Sequence, residues 1–262
     1  MSTINTPSVA LQGVEILFLD FDEKVVLAWD RALERYAPQR LRPQLRTRHC
    51  ALEKLDGDDM IFDCIVSPAN SYGRLDGRYV GKYLCAQAES LINNISFDFY
   101  LSEALAPPNN FDAPTRHVQA ALYRQYRGFA PPGTCTLVSI AGTRFDASVN
   151  KHKCNFIAVC PTMRTPTDVR WDKEVVYECT WTFLNVIDNH NANCAEGEKI
   201  RKVLCPGLAT GIGRVSAEKC AVQMTLAINH YDKAVSNPMK WSALEWEDIA
   251  ETVDEMDETY GL

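Results

Sequence analysis

Residues 204–224 read LCPGLATGIGRVSAEKCAVQM, a short apolar run that breaks into a glycine-punctuated loop and then into a helix. Leu204 and Cys205 close a predicted buried strand, and Pro206 and Gly207 stop it. Gly211 and Gly213 let the backbone turn its N–H groups inward with no Cβ in the way. Ser216 is placed to cap the following helix, where Ala217, Cys220, Ala221, Met224, Ala227, Ile228 and Tyr231 recur at three- and four-residue steps. The loop thus precedes a helix N-terminus, where orphan N–H groups and the helix dipole favour an anion. A turn of this kind also serves as a plain connection. Neither standard nucleotide pattern fits: the loop lacks the Lys-Ser/Thr pair of a P-loop, and TGIGRV lacks the third glycine of the dinucleotide fingerprint.

A second loop lies far upstream. Residues 61–66 (IFDCIV) predict a buried strand, and residues 67–77 (SPANSYGRLDG) follow it with a proline, an Asn, two glycines and an Asp. A helix is expected next, through Val80, Tyr83, Leu84, Gln87 and Leu91. In open α/β sheets, ligands collect in such loops at strand C-termini.

The rest of the chain supplies a frame for these two loops. Residues 14–20 (VEILFLD) predict a strand, and residues 23–36 a helix with Val25, Val26, Trp29, Leu33 and Tyr36 on one stripe. The pair Asp20-x-Asp22 resembles the nucleophile motif of haloacid-dehalogenase-like phosphatases, but the small hydroxyl residue expected two places on is absent. The pair reads instead as a strand end with solvated carboxylates. Strands are expected at 44–52, 135–141 and 155–160, and helices at 114–127 and 174–188, with 93–132 otherwise a long connection. This order predicts a three-layer α/β/α sandwich with a mixed central sheet of six or seven strands.

The chain has 262 residues, 46% of them hydrophobic, and a net charge of −7. Residues 240–262 hold one Lys against eight Asp and Glu, which leaves residues 1–239 with 26 basic and 26 acidic groups. A neutral body argues against a broad nucleic-acid-binding face. One domain is expected over 1–239. The acidic tail, 240–262, is expected to be partly helical, with Trp241, Leu244, Trp246, Ile249 and Val253 on a docking face and a frayed end. Ten cysteines sit singly, with no Cys-x-x-Cys pair, and Cys160 and Cys205 read as small core hydrophobes. His49, His117, His152, His190 and His230 show no metal-ligand spacing, so no metal site is expected. Without a secretory start or a long apolar run, the expected location is cytosol, nucleus or both, with no membrane contact.

Taken together, residues 65–77 (IVSPANSYGRLDG) and 205–224 resemble the macrodomain family in its strand, Asn loop and Asp-Gly segment, and in its second phosphate loop and last helix. The Ser-Pro-Ala-Asn form, with PTMRTP at 161–166 and GLATGIG, is similar to the divergent macro-like branch, over residues 14–235. The resemblance implies an ADP-ribose-binding fold with no cofactor, a monomer whose partner is ADP-ribose or an ADP-ribosylated protein. It places Asn70 on the distal ribose and Asp76 beside the diphosphate or the scissile bond. Ser67, Ala69, Gly73 and Gly77 accompany them in the first loop. Gly207, Ala209, Thr210, Gly211, Ile212, Gly213 and Arg214 wrap the phosphates, and Thr162, Met163 and Arg164 form a wall for adenine. This chain departs from the pattern in having only SYGRL between Asn70 and Asp76, in Arg78, and in offering no clear match near Cys50–Glu53 for the acidic residue that reads adenine.

The activity implied is removal of mono-ADP-ribose from modified protein, with Asn70 and Asp76 catalytic. A water between diphosphate and carboxylate would attack the anomeric carbon. The same pocket would serve a phosphatase acting on ADP-ribose 1''-phosphate, or a reader with no activity. Plain structural roles stand beside these: Asp76 as an N-capping turn residue, Asn70 as a turn former, and Arg164 and Arg214 as solvated arginines.

Overall fold

The computed structural model describes residues 10–77 and 96–262; the helix expected through Val80 and Leu91, and Arg78, lie outside the described residues. Six strands form one sheet: β1 (Glu15–Asp20), β2 (Leu45–His49), β3 (Cys64–Ser67), β4 (Thr136–Ser139), β5 (Phe156–Val159) and β6 (Lys202–Pro206). Their order across the sheet is β2-β1-β6-β3-β5-β4, with all neighbours parallel except the antiparallel edge pair β4 and β5. This is the expected mixed sheet, and the parallel run brings the C-terminal ends of β1, β6, β3 and β5 to one edge.

Apolar side chains alternate between the two faces of the sheet, as the two-residue period of a strand requires. Ile16, Phe18, Cys64, Val66, Val203 and Cys205 join one core, packed with Trp29 of α1 (Glu23–Tyr36), which the Asp22 carboxylate caps, and with later helices. Leu17, Leu19, Ile65, Ile157, Val159 and Leu204 join the other, with Leu101 of α2 (Phe97–Leu105) and Val118 and Leu122 of α3 (Ala113–Tyr126). The first core is closed by α4 (Val175–Asn193) and α5 (Ala217–Ser236), which pack on each other, with α1 also against α5. Helices thus cover both faces of the sheet. None described is long and apolar enough to cross a membrane.

Two elements differ from the sequence reading. Helix α2 occupies what reads as connection, because Asp98 and Ser102 are buried among its apolar residues and blur the apolar stripe. The acidic tail forms a short helix, α6 (Pro238–Trp241), and then α7 (Trp246–Asp257). Its far end is held rather than frayed: Met256 and Thr259 are buried, Gln223 Nε2 donates to Thr259 Oγ1 at 2.8 Å, and Tyr260 Oη bonds Glu174. The expected docking face is only partly used. Trp241 stacks on Trp181, but Trp246 is 81% exposed and Val253 faces solvent, because the polar His230–Glu255 bond and Met256 set which side of α7 faces the body. Burial lowers the His230 pKa, and Glu255 opposes that shift.

Candidate functional site

A cleft of about 900 Å³ opens at the C-terminal ends of β1, β6, β3 and β5. That volume suits a whole small molecule, for which pockets of roughly 300–1,000 Å³ are usual. Asn70 and Gly211, from the two distant loops of the sequence, both line it.

The wall beyond β6 is made of backbone. Ala209 and Arg214 adopt left-handed φ values of 59° and 58°. Val215 N donates to Ala209 O, Arg214 N to Gly211 O, and Gly213 O accepts from Val169 N, which closes the loop into a ring. Only glycine fits at 213, where a Cβ would stand 2.6 Å from Ala209 O. Among the described residues, the N–H groups of Thr210, Gly211, Ile212 and Gly213 have no acceptor. The loop leads into α5, whose first turn Ser216 Oγ caps by accepting from Lys219 N at 3.0 Å. Unpaired N–H groups converging ahead of a capped helix make an anion-binding concavity. Gly207 plays another part, since its N–H supports the Asp20 carboxylate, and a Cβ there would meet Asp20 Oδ2 at 2.8 Å.

The facing wall, beyond β3, is built from side chains that bond to one another. Asn70 Nδ2 donates to Arg74 O at 2.8 Å, and its Oδ1 accepts from Tyr72 N at 3.1 Å and Arg74 N at 3.4 Å. Asn70 therefore shapes its own turn, and among the described residues its second amide hydrogen has no acceptor. Its backbone bridges to Met163, while Thr162 N donates to Ala69 O and Ser71 N to Met163 O, so the loops after β3 and β5 run side by side. Asp76 is buried at the cleft and ion-paired with Arg74. Ala69, Gly77, Thr162, Met163, Ala209, Thr210, Ile212 and Gly213 also line the cleft, and the buried Thr162 hydroxyl has no hydrogen-bond partner among the described residues.

Four sequence-selected residues lie elsewhere. Ser67 is fully buried behind the wall, its Oγ donating to Asp98 Oδ1 at 2.6 Å. Gly73 packs on α3, where a Cβ would meet Val118 and Leu122 within 3 Å. Arg164 turns outward, with its guanidinium over Phe129 and Nε on the Tyr72 hydroxyl. Arg214 is exposed and faces Asp168, 3.9 Å away.

Sequence reasoning missed two acids that line the cleft. Asp20, read as a solvated strand end, is half-buried; burial pushes its carboxyl up, against the N–H groups of Asp22, Gly207 and Phe21. Phe21 stands beside it, 70% exposed at the cleft mouth. Asp98 of α2 is buried, and burial raises it to about 7, the Ser67 hydrogen bond opposing and the Asp76 charge adding. A sequence signal existed for Asp98, which is the one acid within the apolar and aromatic run ISFDFY at 95–100. The charged lining is predominantly acidic, with Lys24 and Arg74 against Asp20, Asp22, Asp76 and Asp98. An anion here would be held by dipoles more than by cations.

No family model matches the chain, and no curated protein does. Among solved structures, it is similar to a glycine-to-valine variant of the Oceanobacillus iheyensis macrodomain with ADPR, at 14% identity over 76% of this chain and 91% of that one, with a TM-score of 0.40. It is also similar to the Oceanobacillus iheyensis macrodomain with ADP, at 15% identity over 76% of this chain and 90% of that one, with a TM-score of 0.41.

Proposed function

We propose that the cleft binds ADP-ribose in the manner of a macrodomain, and that the protein is a hydrolase releasing mono-ADP-ribose from modified protein. The observation that carries this is the run of unpaired N–H groups at 210–213, which faces the Asn70 turn across one cavity. A diphosphate brings two negative charges into an acidic surrounding, and only donors already fixed in place repay its lost hydration. Each hydrogen bond to a charged acceptor is worth about 1.5–3 kcal/mol, so a few of them outweigh nearby carboxylates that are themselves bonded to protein groups. The remaining Asn70 amide hydrogen then serves a ribose oxygen. Phe21 and Asp20, at the β1 end, offer a ring face and an acceptor to a base carrying an amino group.

Calorimetry with ADP-ribose against AMP and NAD tests the binding. ADP-ribose is expected to bind most tightly, and absence of heat at millimolar ligand would overturn the proposal. A second reading, an inactive reader of ADP-ribosylated protein, draws support from the Arg74 ion pair on Asp76 and from the engagement of Asn70 in its own turn. Incubation with ADP-ribosylated peptide separates the two: release of ADP-ribose favours the hydrolase, and binding without release the reader.

A further inference from the structure

Asp98 sits in the first turn of α2, whose start packs onto Gly77 so closely that a Cβ there would meet Ser96 Oγ at 2.5 Å and Phe99 Cβ at 2.9 Å. The carboxyl is therefore fixed against the loop that carries Asp76. It is buried yet forms part of the cleft lining, and among the described residues the Ser67 hydroxyl is its one hydrogen-bond donor. The titratable groups around it are Asp76 from the 68–77 loop and Cys160 at the end of β5, and the Arg74 guanidinium is turned onto Asp76. No cation is paired with Asp98 among the described residues. Burial and the Asp76 charge both favour its neutral form, and it holds a proton up to about pH 7. The two acids thus differ in their partners: Asp76 is paired with the Arg74 guanidinium, whereas Asp98 has the Ser67 hydroxyl and, among the described residues, no cation.

On the premise that the cleft is an ADP-ribosyl hydrolase, we propose that Asp98 is its proton donor, and that its substrates carry ADP-ribose on a hydroxyl oxygen. A carboxylate leaves the anomeric carbon as an anion stable at neutral pH, its acid having a pKa of about 4, and gains little from a proton donor. An alkoxide does not leave unprotonated. In the step, a water oxygen bonds to the anomeric carbon while the bond from that carbon to the acceptor oxygen breaks, its electron pair remaining on the acceptor. The Asp98 proton passes to that oxygen and yields the free alcohol. The proton lost by the attacking water returns to the Asp98 carboxylate, so the products are alcohol and ADP-ribose and the acid is restored. Ser67 is a positioning residue that orients the carboxyl and stabilises its charged form by donating to Oδ1.

The test uses the full chain, wild type and the variants Asp98→Asn and Ser67→Ala, on a seryl-linked and a glutamyl-linked ADP-ribosyl peptide, with ADP-ribose calorimetry alongside. Asp98→Asn is expected to bind ADP-ribose within about threefold of wild type and to lose about 100-fold or more in kcat on the seryl linkage, yet less than about tenfold on the glutamyl linkage. Wild-type kcat on the seryl linkage falls above about pH 7, and in Ser67→Ala that fall moves to higher pH, because a hydrogen bond favouring the charged form is gone. A near-normal seryl kcat in Asp98→Asn, equal losses on both linkages, or a wild-type protein that binds ADP-ribose but does not cleave the seryl linkage would each overturn the proposal. Absence of ADP-ribose binding in the wild type would instead remove the reading beneath it.

Discussion

The two walls of the cleft solve opposite problems. The 207–215 loop ties its ends together and, among the described residues, leaves the N–H groups of 210–213 unpaired, so the surface it offers is backbone rather than side chain. In the 67–77 loop the side chains bond within the protein: Asn70 to Arg74 and Tyr72, Arg74 to Asp76, Ser67 to Asp98. The first wall waits for an anion, whereas the second holds shape and presents acids. Glycine matters in the first because a Cβ would strike backbone, and polar residues matter in the second because burial leaves them no water.

The largest effect should come from closing the backbone wall. In Gly213→Ala the new Cβ meets Ala209 O at 2.6 Å and Val169 Cγ2 at 3.0 Å, so the ring must open and the N–H groups scatter. Calorimetry should show ADP-ribose affinity reduced by about 100-fold or more, the equivalent of losing two charge-assisted hydrogen bonds. Gly211→Ala is the control, since nothing lies within 4 Å of its Cβ; its thermal stability should stay within about 0.5 kcal/mol of wild type. Equal losses in both variants would refute the ring. Next comes Asn70→Ala on the side-chain wall, which removes three hydrogen bonds from the turn. A loss of about 1–3 kcal/mol in stability is expected, with weaker ADP-ribose binding as the turn loosens. Normal stability with weak binding would show instead that Asn70 acts on the ligand alone.

These contrasts explain how much the sequence disclosed. The features of the backbone wall were legible because they are local: Gly211, Gly213 and Ser216 lie within six residues, and the strand-to-helix switch is a matter of apolar period. Strands β1, β3, β5 and β6 were legible too, since both sides of a parallel sheet are covered and the strands read as continuous apolar runs. The acids were not. Asp98 meets Ser67 across 31 residues, and Asp20 meets Gly207 across a strand crossover, so their neighbours exist only in the fold. Ser67 and Gly73 misled for the converse reason, as their motif places them near the cleft while their side-chain directions turn them into the core. The tail misled in its face, because Trp246 and Val253 mark an apolar stripe that the half-buried His230–Glu255 bond overrides.

A smaller effect is expected from the buried acid of the second wall. Asp98 is raised in the folded state to about 7 from 3.8, so its contribution to stability is full below about pH 4 and is lost as pH rises through 7, where the buried group ionises. Asp98→Asn keeps an acceptor for Ser67 and carries no charge. It should therefore be more stable than wild type at pH 8, by about 2–4 °C in Tm for each kcal/mol regained in a chain of this size, and should show a distinctly smaller gain at pH 5. A Tm difference unchanged between the two pH values would mean that Asp98 is charged throughout, which would also blur the distinction between the acids.

The smallest effect sharpens the comparison most. Arg214 follows the phosphate loop directly and is the obvious cation to assign to a diphosphate, yet its guanidinium is exposed and turned toward Asp168, which Arg170 already holds at about 2. Nothing in the backbone mechanism uses it. Arg214→Gln keeps the length of the side chain and its left-handed backbone while removing the charge, so ADP-ribose affinity should change less than about twofold, with little change in its dependence on salt. A tenfold loss, recovered in Arg214→Lys, would mean that the arginine swings into the cleft on binding. The phosphate would then be held by a cation that the unliganded fold keeps outside, and the backbone wall would be a guide for that side chain rather than the binding surface itself.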